Sequence, residues 1–128
     1  MEDFVNYEIA NKLKNLGFEE STYHYYNIDD IRYCRDDYPS DHNGDPLREF
    51  EISAPTISQV LKWLREEKKL YVGVTYSPKI EGSQDFYYAT IQYIGDYKKT
   101  IYPNDSYDNW EGAALNGIEY VIDNNLIL

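Results

Sequence analysis

Apolar residues along this chain recur at helical spacing in three places and alternate with polar ones in others. Over residues 3–16, Val5, Ile9, Leu13 and Leu16 form one stripe with Ala10 beside them, while Glu8, Asn11, Lys12 and Lys14 lie off it. The spacing predicts a helix capped by Asp3, with Gly17 as the residue after its end and Phe18 folding back on Leu13. Over 53–70, SAPTISQVLKWLREEKKL, Ala54 is held extended by Pro55, and Thr56 with Gln59 has capping-box spacing. Ile57, Val60, Leu61 and Leu64 mark one face, with Trp63 at its edge, and predict a helix over about 56–69. A third stripe of Trp110, Ala113, Ala114, Gly117, Ile118, Val121 and Ile122 follows a cap at Ser106 or Asp108, and Asn124 and Asn125 end it. Ala113 and Gly117 lie one turn apart, which fits a helix backbone lying close to a sheet; Gly112 and Gly117 each weaken the helix by about 1 kcal/mol relative to Ala.

Period-two segments predict strands at about 22–27, 70–77 and 85–94, with a possible lysine-bearing edge strand at 98–102. The link SPKIEGSQ, with Pro78 and Gly82, makes the middle two an antiparallel hairpin. Residues 28–50 lose all periodicity and turn acidic, with a Pro-Ser step at 39–40 and Asn-Gly-Asp-Pro at 43–46. They read as a long polar loop, with a possible helical turn near 29–35. The order implies an α+β fold: a small antiparallel sheet of three or four strands packed by about three helices as a two-layer sandwich. A chain of 128 residues is the size of one domain, so residues 1–128 are expected to form one.

Charge narrows the function. Residues 1–51 hold 13 acids and 5 bases, and the whole chain has a net charge of −11. That balance opposes direct binding to nucleic-acid backbones or anionic membranes. Cys34 is the only cysteine, so no internal disulfide forms. MEDFVNYEIA has neither a basic nor an apolar leader segment, and no run approaches a membrane span. A soluble cytoplasmic protein is expected.

Four landmarks carry a resemblance: NYEIANKLKNLGFEE with the later Tyr25-Tyr26 pair, ISAPTISQVLKWLRE, YVGVTY, and WEGAALNGIEYVI. Together they resemble a family of small uncharacterised proteins frequent in gut-bacterial genomes, their phages and mobile elements. The likeness covers most of the chain except about 28–50. It implies an α+β fold and a phage or mobile-element origin, and carries over no catalytic or binding residue. Residues 52–102 with the final helix also have the α-β-β-β-α order of double-stranded-RNA-binding domains. Such domains place lysines at the start of the last helix, where this chain has Asp105, Asp108 and Glu111.

Candidate chemistry is sparse. Asp41, Asn43 and Asp45 match the first three ligand offsets of an EF-hand loop, but Pro46 stands at the sixth position and Ile52 at the twelfth. Cys34 and His42 could pair as nucleophile and base. Against that, Asp36 and Asp37 oppose a thiolate, with only Arg32 and Arg35 in compensation, and no orienting third residue stands out. His24 reads as a half-buried sheet residue, and zinc would need more Cys and His than the chain has. No catalytic residue, metal or cofactor is expected.

The 15 tyrosines, against 4 Phe and 2 Trp, are the distinctive feature. A phenol buries its ring yet keeps its hydroxyl wet, which suits a half-exposed sheet face or an interface. Tyr71, Phe86 and Tyr88 are expected to share one face, and Asp36, Asp37 and Asp41 to mark the acidic loop. The function expected first is a non-enzymatic module binding a protein partner or itself through one of these. The alternatives are an acidic decoy that imitates nucleic acid toward a basic protein, and a small enzyme or ligand-binding protein with a sheet–helix pocket.

Overall fold

The computed structural model describes residues 3–78, 85–103 and 105–127, with all their side chains but those of 97 and 98. Its order is α1 (Tyr7–Asn15), β1 (Thr22–Asn27), β2 (Arg32–Ser40), a 3-10 turn (Pro46–Arg48), β3 (Glu51–Ser53), α2 (Ile57–Glu67), β4 (Leu70–Ser77), β5 (Phe86–Tyr93), β6 (Asp96–Ile101) and α3 (Trp110–Asp123). The fold is α+β, and the described residues form three helices and two three-stranded antiparallel sheets, β2-β1-β3 and β4-β5-β6. The chain divides into two compact units, Met1–Thr56 and Ile57–Leu128.

In the first unit α1 buries Ile9, Ala10 and Leu13. Its cap is Asn6 rather than Asp3: the Asn6 side chain accepts the Ile9 N–H at 2.9 Å. The helix ends as its sequence implies. Gly17 has φ +87°, the Phe18 N–H bonds to the Leu13 carbonyl at 3.0 Å and the Gly17 N–H to that of Lys14 at 3.2 Å. These are the two bonds of a Schellman motif, and they bury Phe18 completely. Tyr26 ties β1 to the entry of α1 by donating its hydroxyl proton to the Val5 carbonyl at 2.8 Å.

The segment expected as a loop at 28–50 is largely structured. A turn at 28–31 leads into β2, which pairs with β1 through Tyr25–Cys34, Tyr26–Tyr33 and Asn27–Arg32. The register shifts between Thr22 and His24, so residues 36–39 of β2 lie opposite Tyr23 alone and bulge out of the ladder. No hydrophobic alternation announces β2 because it is an edge strand whose side chains are mostly exposed. The helical turn expected near 29–35 does not form, since that stretch turns and enters β2; a 3-10 turn lies instead at Pro46–Arg48, where the Asp45 carboxylate accepts the Leu47 N–H.

In the second unit β4 and β5 pair without interruption from Leu70–Tyr93 to Ser77–Phe86. The turn expected at Pro78–Gly82 lies in part outside the described residues, as does the Lys98 side chain of the expected edge strand. β6 pairs with β5 after a register shift, and its Lys99 is exposed. α3 buries Ala113, Ala114, Gly117, Ile118 and Val121, while Trp110 is exposed and Asn109, not Ser106 or Asp108, caps the start. Gly117 sits directly on the sheet: a Cβ there would stand 2.6 Å from Val72 Cγ1 and 3.0 Å from Ala89 Cβ. Only a residue without a side chain permits this approach. α2 packs against β4 and α3, with Val60, Trp63 and Leu64 buried.

Candidate functional site

Strand alternation sorts the β4-β5-β6 sheet into two faces. Val72, Ala89 and Ile91 are buried on the face beneath α3. The opposite face carries Tyr71, Gly73 and Thr75 from β4, then Phe86, Tyr88, Thr90 and Gln92 from β5. Thr100 and, just beyond β6, Tyr102 complete it. Tyr71, Phe86 and Tyr102 are exposed, at 44%, 36% and 59%, and Tyr88 is half-buried among them. The Tyr88 ring lies 6.0 Å from Phe86 and 6.4 Å from Tyr102, within the range of tilted aromatic packing. The Gln92 amide donates to the Thr100 hydroxyl at 3.2 Å. Tyr71, Phe86 and Tyr88 therefore do share a face, and among its described side chains none is charged.

The ring of Tyr71 lies over Gly73, whose missing side chain makes room for it. Where this face meets the β5–β6 turn, Tyr71, Gln92, Tyr93, Ile94 and Gly95 line a shallow depression of about 400 Å³. Ile94 is 48% exposed there. Gly95, with φ +95°, forms the tight turn that lifts Ile94 into place. A second groove, of about 370 Å³, runs along α3 between Tyr107, Asn116 and Tyr120 and is rimmed by Asp105, Glu119 and Asp123. Burial, and then the charges of Asp105 and Glu119, push the Tyr107 phenol up.

In the first unit the acidic segment folds around His42, which is fully buried. Its Nδ1 lies 2.5 Å from Glu51 Oε1, and its Nε2 lies 3.0 Å from the Thr22 carbonyl and 3.6 Å from Asp36 Oδ2. The ring stacks on Tyr25 at 4.6 Å. Arg48 bridges the two acids, with Nη1 2.9 Å from Glu51 and 3.0 Å from Asp36, and the bond to Glu51, followed by the charges of Glu51 and Asp36, pushes its guanidinium up. Two orienting acids for His42 exist after all, though they are separated from it in sequence.

Asp36, His42 and Glu51 are also the one trio of ligand-type residues brought together among the described residues. A cation bound between the carboxylates would meet the guanidinium already there, so Arg48 supplies their counter-charge. His42 has no open face for a substrate. Cys34 lies in β2 with Sγ 3.6 Å from the Arg32 carbonyl, opposite Tyr25 in the ladder. Burial, then Cys34 and the acids Glu51 and Asp36, push the Tyr25 phenol up.

The EF-hand-like residues are committed to backbone. Asp41 accepts the Gly44 N–H at 2.8 Å, and Asp45 caps the 3-10 turn. Asn43 accepts from Ser53 N–H at 2.9 Å and donates to the Phe18 carbonyl at 2.7 Å. Of the expected acidic trio, Asp36 is held by Arg48, Asp41 by the Gly44 turn, and Asp37 is exposed. Sequence reasoning missed the His42 network, for which the only local signal was the Arg48–Glu51 spacing of three.

Among the described residues no helix is long and apolar enough to cross a membrane. No protein-family model, curated protein or solved structure matches this chain.

Proposed function

We propose that the chain is a non-enzymatic protein-interaction module that binds its partner through the face of the β4-β5-β6 sheet opposite α3. The observation that carries this reading is the uncharged surface of Tyr71, Phe86, Tyr88 and Tyr102, set opposite the face on which α3 packs. Exposed aromatic rings interleaved with Thr and Gln supply contact area and hydrogen bonds at a small entropic cost, as in protein-binding surfaces generally. The depression beside Tyr71 suits one apolar side chain of the partner, the kind of anchor around which such interfaces are built. Binding of this kind is insensitive to salt. The decoy reading draws less support, because Asp36 and Asp41 are tied within their own unit.

In this reading the module is soluble and cytoplasmic, in keeping with its free Cys34. A phage or mobile-element setting is proposed on the four-landmark resemblance alone. A photoreactive phenylalanine analogue at position 88 tests the surface, with position 38 as the control, since Tyr38 is 78% exposed in the other unit. Cross-linked adducts with a protein from the native host are expected from position 88 and not from 38. Equal yields from both positions, or adducts from 38 alone, would reject this surface.

A further inference from the structure

Among the described residues the two sheets have four edge strands, and all but one are guarded. β2 carries Arg32, Arg35, Asp36, Asp37 and Pro39 with a register shift, β6 has a register shift and Lys99, and β3 is three residues long. Charges, prolines, bulges and shortness are the usual means of blocking edge-to-edge pairing. β4 has none of them. Leu70–Ser77 is eight residues of unbroken ladder with no charge and no proline, and it stands at the end of its sheet.

The hydrogen-bond pattern identifies which groups this edge presents. The Ile94 N–H donates to the Lys69 carbonyl at 2.9 Å. Pairs in an antiparallel ladder alternate between bonded and non-bonded, so 71–92, 73–90 and 75–88 exchange bonds and 70–93, 72–91, 74–89 and 76–87 do not. Tyr87 confirms the phase independently, since it exchanges bonds of 2.8 and 2.9 Å with Tyr107 on the side away from β4. The N–H and C=O groups of Leu70, Val72, Val74 and Tyr76 therefore point outward from β4, and among the described residues no strand pairs with them.

We infer that β4 pairs antiparallel with β4 of a second copy of this chain, joining two three-stranded sheets into one of six. The outward groups are self-complementary about a two-fold axis at Gly73: Leu70 meets Tyr76 of the second copy, and Val72 meets Val74. Gly73 meets itself, where the absence of side chains leaves both Tyr71 rings free to lie flat. The flanking charges select this occupant. Lys68 and Lys69 precede the strand, and Asp85 lies across the hairpin from its end, hydrogen-bonded to Tyr76, whose phenol that bond pushes up. Antiparallel pairing brings Lys68 and Lys69 of each copy, opposite Pro78 and Ser77, to the end of the other's hairpin where Asp85 lies one strand in from the seam. The inference stands whether or not the aromatic face binds a partner.

Sedimentation equilibrium of the full chain tests it. The wild type is expected at twice the 15.1 kDa chain mass and Val74→Pro at the monomer mass; proline removes only an outward N–H there and blocks the approach. Lys69→Glu is expected to raise the dimer dissociation constant about twofold to fivefold, the range of an exposed ion pair, and Lys69→Glu with Asp85→Lys to restore it. Amide exchange on the wild type needs no variant: the Val72 and Val74 amides should gain protection as concentration rises, while that of exposed Tyr38 does not. A monomeric wild type would overturn the inference. So would a dimer that survives Val74→Pro, or Val72 and Val74 amides indifferent to concentration.

Discussion

The ring of Tyr71 occupies the space a side chain at Gly73 would need: a Cβ there would stand 2.8 Å from Tyr71 Cε1 and 3.3 Å from Thr90 Oγ1. The neighbour that must give is the far end of an exposed side chain. Gly73→Ala should therefore change stability by less than about 1 kcal/mol, since strand alanine regains part of what glycine costs. It should still push the Tyr71 ring off the sheet, seen as a shift of its NMR ring resonances, and weaken partner binding. A loss of several kcal/mol in a urea titration would contradict this.

Gly117 presents the opposite case, because its neighbours are the packed Val72 and the backbone-fixed Ala89 methyl. Helix propensity alone favours Gly117→Ala by about 1 kcal/mol, but overpacking costs about 1–3 kcal/mol. The clash should win, with a net destabilisation of about 1 kcal/mol in chemical denaturation. A stabilised variant would mean that α3 lies farther from the sheet than described.

His42 holds the acidic segment to β1 and β3. His42→Ala empties a fully buried site and leaves Glu51 and Asp36 short of a partner, at a cost of about 2–4 kcal/mol. Arg48→Ala should cost less, about 1 kcal/mol, because the Arg48 side chain is 30% exposed and water compensates. The two share Glu51, so the double variant should be less destabilised than the sum of the single ones. Strict additivity in a double-mutant cycle would show that no common network exists.

His24 makes stability depend on pH. Its Nδ1 is buried with no hydrogen-bond partner among the described residues, and its ring stacks on Tyr33 and tilts against Phe4. Burial first, and then the charge of Arg35, hold its pKa below the usual imidazole value of 6.5. The folded state thus favours the neutral ring. The stability from this site is fully present above the unfolded pKa and is lost as the pH falls through it toward the folded one. Thermal unfolding between pH 7 and 5 should fall less steeply for His24→Phe than for the wild type, and identical slopes would rule the site out as the cause.

What the sequence reveals depends on where each element's partners lie. The α1 terminus at Gly17, the β4–β5 hairpin and the close contact at Gly117 are legible because each is decided by residues a few places apart or by strict periodicity. β2 is illegible because RYCRDDYPS has no buried face to enforce alternation. It is a strand through its pairing with β1, a tertiary effect that propensity does not contain. The His42 network is hidden for a related reason, since Thr22, Asp36, Arg48 and Glu51 meet only after β1, β2 and β3 have paired. The aromatic face was legible at Tyr71, Phe86 and Tyr88 through period two. Tyr102 was not, because it lies beyond the end of a strand with a register shift.

The most direct test of the interaction reading compares the wild type with the triple variant Tyr71→Ser, Phe86→Ser and Tyr88→Ser in affinity capture from the native host. Circular dichroism would first establish that the variant is folded. The account predicts one protein partner retained by the wild type at both low and high salt, and lost by the variant. Retention of that partner by the folded variant would contradict it, as would the wild type capturing nothing under cross-linking.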